Sequence, residues 1–186
     1  LYDAELVPVG KDQMQHLEMT RDVASRFNNK LGDVLVLPEA VVQEDTKLVP
    51  GTDGEKMSKS KGNLINIFLA DKKLRKQIMS IETDSTPLEE PKETATCNAF
   101  ILYELLASED QIAKMKENYA GGNYGYGHAK QELFELICEK FSTEREQYNY
   151  YMENLEELED KLKMGANKAR EVAQPTLQKV RTALGY

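Results

Sequence analysis

The stretch Lys56-Met57-Ser58-Lys59-Ser60 places two ammonium groups and two hydroxyls within five residues. That set suits one task, which is to offer mobile cations and hydrogen-bond donors to a polyphosphate. Residues 56–76 hold seven basic side chains (Lys56, Lys59, Lys61, Lys72, Lys73, Arg75, Lys76) against Asp71 as the one acid. In a chain of formal net charge −8 this local excess is an anion-binding footprint. Lys/Ser-rich stretches are also common as plain solvated loops, and it is the particular order of these five residues that sets this one apart. A second candidate region is Gly10-Lys11-Asp12-Gln13, directly after Val7-Pro8-Val9. There a glycine at a strand end lets the backbone pass close to another group. His16, three positions after Gln13, reads as structural, and His128, after Gly127, as a cap or surface residue. Tyr119, Tyr124 and Tyr126 read either as turn residues packed on a helical bundle or as a surface on which a nucleobase could stack.

The elements that must position these groups follow from periodicity. Val7–Val9 reads as the end of a buried strand, and Asp12 is expected to cap a helix running through Asn28, with Gly32 as its stop and a second strand at Val34–Leu37. Strand, helix, strand is part of an α/β unit, whose ligands sit beyond the carboxyl ends of the strands. Residues 43–63, broken by Pro50-Gly51, Asp53-Gly54 and Lys61-Gly62-Asn63, are expected to form an exposed, mobile loop. Asp71 is expected to cap a basic helix over 72–81, and Thr83 to Pro91 reads as a linker, with a boundary near residue 85. Beyond it the pattern is helical over about 95–107, 109–119, 128–152 and 155–184. Ser108 and Gln111 are spaced as a capping box. Phe134, Ile137, Phe141, Leu155, Leu158 and Leu162 are expected core positions. The fold class is therefore α/β plus all-α: residues 1–84 as part of an α/β unit carrying the loop, and residues 85–186 as a helical bundle.

Composition sets the outer bounds. With 186 residues, 40% apolar and 30% charged, the chain can bury a core without disulfide staples. Its longest uninterrupted apolar run, Val34–Leu37, is far too short for a membrane span. Cys97 and Cys138 have no CxxC spacing and no neighbouring histidines, so they read as small buried residues of a reducing cytoplasm and no metal site is expected. Residues 1–80 balance 12 basic against 12 acidic groups, whereas 81–186 hold 12 against 20, which points to two domains with different surfaces. The start at Leu1 carries neither an initiator Met nor a signal pattern and reads as a cut inside a domain.

Lys56 to Ser60, followed by Lys61-Gly62-Asn63, resembles the second signature of class I aminoacyl-tRNA synthetases. Pro8-Val9-Gly10-Lys11-Asp12-Gln13-Met14-Gln15-His16-Leu17-Glu18 closely resembles the segment that the tryptophanyl-tRNA synthetase family carries before that signature, and Thr83-Asp84-Ser85 and Gly165-Ala166-Asn167-Lys168-Ala169 resemble its later part. The resemblance implies that residues 1–84 are the end of a Rossmann-like catalytic domain and residues 85–186 a helical tRNA-binding domain, and it implies activation of tryptophan with ATP and Mg²⁺, then transfer to tRNA(Trp), by a homodimer in the complete enzyme. It implies that Lys56 and Lys59 neutralise the triphosphate as catalytic residues, that Ser58 and Ser60 donate to it, and that Met57 anchors the loop by packing. Gly10, Lys11 and Asp12 would line the ATP site, with a backbone contact at Lys11, where the family commonly has an acid. Val7, Val9 and Gln13 would face tryptophan. Lys161, Lys163, Lys168 and Arg170 are candidates to meet the anticodon arm. The family's first phosphate signature has no counterpart, so the chain reads as a carboxy-terminal half, inactive without the missing amino-terminal half. Tyrosyl-tRNA synthetase is the sister alternative, and a non-catalytic helical module that binds RNA or protein is the alternative of a different class.

Overall fold

The computed structural model describes residues 1–42 and 49–186. Residues 43–48, the first part of the expected loop, lie outside the described residues. The chain divides into two compact units, one made of Leu1–Lys47 with Asn154–Tyr186 and the other of Leu48–Glu153.

In the first unit, strand β1 (Leu6–Val9) leads through a single 3-10 turn (Lys11–Gln13) into helix α1 (Met14–Leu31), and β2 (Glu39–Val42) returns parallel to β1 with Leu6 opposite Glu39 and Val9 opposite Val42. The expected strand at Val34–Leu37 is displaced to Glu39–Val42, and the cause is Asn28. Its side-chain oxygen accepts from the Val34 and Leu35 N–H groups at 3.1 and 2.9 Å, and its amide donates to the Leu35 carbonyl at 2.7 Å. Those backbone groups are thereby withdrawn from any ladder. Arg21 then donates to the Pro38 carbonyl at 2.5 Å, and pairing begins only after that proline. Asp12 does not cap α1: Gln13 occupies the cap position, and the Asp12 carboxylate accepts from the Gln13 amide at 3.2 Å. Helix α1 stops, as expected, at Gly32, where φ is +91°. Strand β1 is less buried than expected, with Val7 and Val9 half-buried and Leu6 and Pro8 exposed.

Helix α7 (Leu155–Leu184) belongs to the same unit. Thr176 is its one buried residue, and its hydroxyl donates to the Asp3 carboxylate at 3.2 Å, next to the in-helix Pro175. Leu155 and Leu162, expected in the core, are 59% and 60% exposed. A helical stripe of leucines states that a face is apolar; it does not state that this chain supplies the cover.

The second unit carries the main core. Helices α2 (Asp71–Met79), α3 (Asn98–Glu104), α4 (Glu109–Gly121), α5 (Tyr126–Lys140) and α6 (Ser142–Glu153) enclose Leu74, Ile78, Ile81, Phe100, Leu102, Tyr103, Met115, Tyr119, Leu133 and Ile137. The Ser108–Gln111 capping box forms with both reciprocal bonds present. The single helix expected over 128–152 is two helices, because the backbone leaves the helical region at Phe141. Phe134 and Phe141 pack on the core as partly buried residues. Tyr119 is fully buried and packs edge-on to Phe100 and Tyr126, so it is core and not a stacking surface. Thr83–Pro91 lies inside this unit and is fastened to it by Lys92, whose ammonium donates to the carbonyls of Pro87, Leu88 and Glu90. Cys97 is buried with its thiol 3.3 Å from the Tyr119 hydroxyl, and Cys138 is half-buried; both are free.

Candidate functional site

The loop built on residues 49–63 has a fixed base and a free tip, and one side chain makes the difference. Asn63 is only 3% exposed. Its amide donates to the Asp53 carboxylate at 2.7 Å and to the Lys56 carbonyl at 3.2 Å, while its side-chain oxygen accepts from the Ser58 N–H at 2.8 Å. One residue thus grips the loop at three places, and its own carbonyl accepts from the Thr52 N–H at 3.0 Å. Gly51 is required for this fit, since a Cβ there would stand 2.4 Å from the Asn63 side chain. Asp53 also accepts from the Glu55 N–H at 3.0 Å, the turn that aspartate favours ahead of glycine. The Asn63 hydrogen bond is the main reason that the Asp53 carboxyl is held below the ordinary carboxylate value. Further ties come from the Met57 N–H, which donates to the Val49 carbonyl at 3.0 Å, and from the antiparallel bridge between Pro50 and Lys56.

Over residues 49–63 the expectation of an exposed loop therefore fails at the base and holds for the exposure of the tip. Pro50, Gly51 and Asn63 are buried, Met57 is half-buried and packs on the core of the second unit, and Lys56, Lys59, Ser60 and Lys61 are exposed. The Ser58 and Ser60 hydroxyls lie 2.8 Å apart and bond to each other. Lys61 pairs with Glu55 at 3.4 Å, whereas among the described residues Lys56 and Lys59 make no ion pair. Two cations are thus left uncommitted on a fixed base, which is the arrangement an incoming polyanion requires. Asp71, expected as a helix cap, is not one; Ala70 holds the cap position, and Asp71, in the first turn, forms an ion pair with Arg145 at 2.5 Å.

The other predicted residues lie in the first unit. Gly10 precedes the 3-10 turn, which closes when the Gln13 N–H donates to the Gly10 carbonyl at 2.9 Å. A Cβ on Gly10 would stand 2.8 Å from an Asp12 carboxylate oxygen, so the glycine makes room for that carboxylate. Lys11, Asp12 and Gln13 are exposed. Val7 lines an open depression of about 750 Å³ with Leu17, Thr20, Val23 and Ala24, while Val9 and Gln13 are not among its walls. His16 is exposed at its rim. Gly10 to Gln13 and Lys56 to Ser60 thus belong to different compact units. Among the described residues no cluster of three or more His, Cys, Asp or Glu is arranged as a metal cage.

Residue identity alone did not mark Asn63, Asp53 or Gln77. Asn63 was legible only as a turn residue after Lys61-Gly62, although a buried asparagine closing a loop is the recurrent use of that side chain. Gln77 gave no signal, for it sits on the polar side of an amphipathic helix.

The sequence profile described as tRNA synthetases class I (W and Y) matches residues 1–142, and the chain belongs to that family and has its fold. It is similar to the tryptophan–tRNA ligase of Fusobacterium nucleatum, 47% identical over 186 residues, an alignment that takes in 100% of this chain and 57% of the relative. It is also similar to that of Campylobacter jejuni, at 46% over 185 residues, 100% of this chain and 58% of the relative. The crystal structure of tryptophanyl-tRNA synthetase from Campylobacter jejuni complexed with ADP and tryptophan superposes with a TM-score of 0.93 at 46% identity, over 100% of this chain and 58% of that one. The enzyme from Mycoplasma pneumoniae superposes with a TM-score of 0.61 at 27% identity, over 100% and 59%. The chain spans about half the length of the curated relatives it matches, from 42% to 58%. No helix among the described residues is long and apolar enough to cross a membrane.

Proposed function

We propose that this chain is part of a tryptophan–tRNA ligase, which joins tryptophan to ATP as tryptophanyl-adenylate with release of pyrophosphate and then transfers the aminoacyl group to tRNA(Trp). One observation carries the reading: two uncommitted lysines stand on a base fixed by Asn63, in a chain 46–47% identical along its whole length to tryptophan–tRNA ligases. The nucleophile of the first step is the tryptophan carboxylate, which is already ionised at neutral pH and needs no general base. Catalysis is then positioning and charge stabilisation. Lys56 and Lys59 neutralise the triphosphate and the departing pyrophosphate, Ser58 and Ser60 exchange their mutual hydrogen bond for bonds to phosphate oxygens, and Met57 keeps the loop seated. Gly10, Lys11 and Asp12 face the nucleotide, Asp12 accepting from ribose hydroxyls. Val7, Val9 and Gln13 face the amino acid. Mg²⁺, when bound with the nucleotide, would share with Lys56 and Lys59 the neutralisation of phosphate charge.

The division at residue 85 is one of roles, residues 1–84 serving activation and 85–186 serving the tRNA, and it differs from the division into compact units. On α7, Lys161 and Lys163 pair with Glu157 and Glu159 at 3.0 and 3.8 Å, so RNA contact there is local and falls to Lys168 and Arg170 as well. The complete enzyme acts as a cytoplasmic homodimer. Aminoacylation assays on the full-length protein test the reading: charging of tRNA with tryptophan and not with tyrosine is expected. Charging with tyrosine would assign the sister activity, and charging with neither would leave an RNA- or protein-binding module.

A further inference from the structure

We infer that Gln77 and Arg145 are positioning residues for the signature loop: together they hold the chain segment by which that loop enters α2, and so set where Lys56 and Lys59 are presented. The inference rests on the assignment of those lysines to the triphosphate. The segment is 64–70, which has no helical or strand bonding of its own. Its apolar side chains Ile65, Ile67 and Leu69 pack on the core, while its backbone is gripped by side chains from two helices.

Gln77 of α2 reads the segment as one peptide group reads another. Its amide donates to the Leu64 carbonyl at 2.5 Å, and its side-chain oxygen accepts from the Asn66 N–H at 2.9 Å. Leu64 adjoins Asn63, so this grip acts one residue from the side chain that closes the loop base. Arg145 of α6 adds a second hold, donating to the Ile67 carbonyl and pairing with Asp71 at 2.5 Å, with its side chain only 14% exposed. One helical turn further on, Tyr148 stacks on Phe68 with ring centroids 4.7 Å apart. A planar guanidinium that spans a carbonyl and a carboxylate fixes both position and direction, which an ammonium cannot do. Helix α6 thereby holds a segment more than 70 residues away in sequence, and loosening that hold shifts Asn63 and, through it, the Ser58 N–H and Lys56 carbonyl.

The test uses Gln77→Met, Arg145→Met and Arg145→Lys in the full-length protein, with two readouts. The first is hydrogen exchange at the Met57 and Ser58 amides. Exchange faster by about tenfold in both Met variants, with Arg145→Lys in between, is expected, in line with coupling through a packed network. The second is ATP–pyrophosphate exchange normalised to titrated active sites. There kcat/KM for ATP falls by about tenfold while KM for tryptophan stays constant, a split that mere loss of folded protein does not produce. Unchanged Met57 and Ser58 exchange beside faster exchange at Phe68 and Leu69 would overturn the inference, as would per-site ATP kinetics within twofold of the parent. Should a Met variant fail to fold, Asp71→Asn, an exposed change that removes the ion pair with Arg145 and the first-turn charge of α2, must shift both readouts in the same direction, and no shift in it overturns the inference. If the unmodified protein exchanges no pyrophosphate, the functional reading fails on its own and amide exchange alone decides the positioning role.

Discussion

Asn63→Ala is the perturbation that asks most of the loop geometry. The substitution removes an acceptor 2.8 Å from the Ser58 N–H and a donor 3.2 Å from the Lys56 carbonyl, at a position 3% exposed. Two neutral hydrogen bonds at roughly 0.5–1.5 kcal/mol each give about 1–3 kcal/mol for closure of the base, or about a 5–150-fold larger open fraction. The bond to Asp53 is left out because that carboxylate is solvated. Hydrogen exchange at Ser58 should accelerate by a factor in this range, with the Leu133 and Ile137 amides of α5 unchanged. Asn63→Asp separates the terms further. It keeps an acceptor for Ser58 but sets a second carboxylate against Asp53, where the amide now stands 2.7 Å from the carboxylate oxygen. Two carboxylates at that distance cannot both stay ionised without cost. The loop of Asn63→Asp should therefore be open at pH 7 and recover on acidification, as the pair comes to share a proton. Ser58 exchange in Asn63→Ala equal to that of the parent protein would refute the view that Asn63 closes the loop base.

Other predictions are independent of that one. In the full-length protein Lys59→Ala should slow adenylate formation by roughly 10²–10³, as loss of a preorganised transition-state donor does, with tryptophan affinity nearly constant by equilibrium titration. Leu74→Ala, at a fully buried site, should cost about 2–5 kcal/mol in denaturant unfolding and leave the m-value unchanged. Tyr126, whose hydroxyl donates to Asp84 at 2.7 Å, is pushed up to about 12, first by burial and then by that bond. Its contribution to stability is thus complete below pH 10 and fades as the pH climbs toward 12, which ultraviolet titration of Tyr126→Phe against the parent would show. Asp84 is held below 3.8, chiefly by Thr86 and then by Tyr126, so its contribution is present above pH 4 and is lost on acidification.

What the sequence disclosed and what it hid follow one physical line. Local chemistry was legible: the Ser108–Gln111 capping box, the Gly32 stop and the cationic pentapeptide each depend on residues close in sequence. Features set by side chains that reach across the chain were not. Asn28 withdrew the backbone of Val34–Leu35 from pairing and pushed the second strand past Pro38. Helix α2 starts at Asp71 with Ala70 at the cap position, and Asp71 pairs with Arg145 from a distant helix. Periodicity named Leu155 and Leu162 as apolar positions, but only the fold shows that this chain leaves them uncovered. The loop itself was recognised by its residues, whereas the reason that its base is fixed, a buried Asn63, appears only once Asp53, Lys56 and Ser58 are brought around it.

The most direct measurement is ATP–pyrophosphate exchange by the full-length protein, with tryptophan and tyrosine in parallel and with Lys59→Ala alongside. The account predicts exchange that depends on tryptophan, is absent with tyrosine and falls by roughly 10²–10³ in the variant. Exchange that is absent with tryptophan, or unaffected by loss of Lys59, would contradict it.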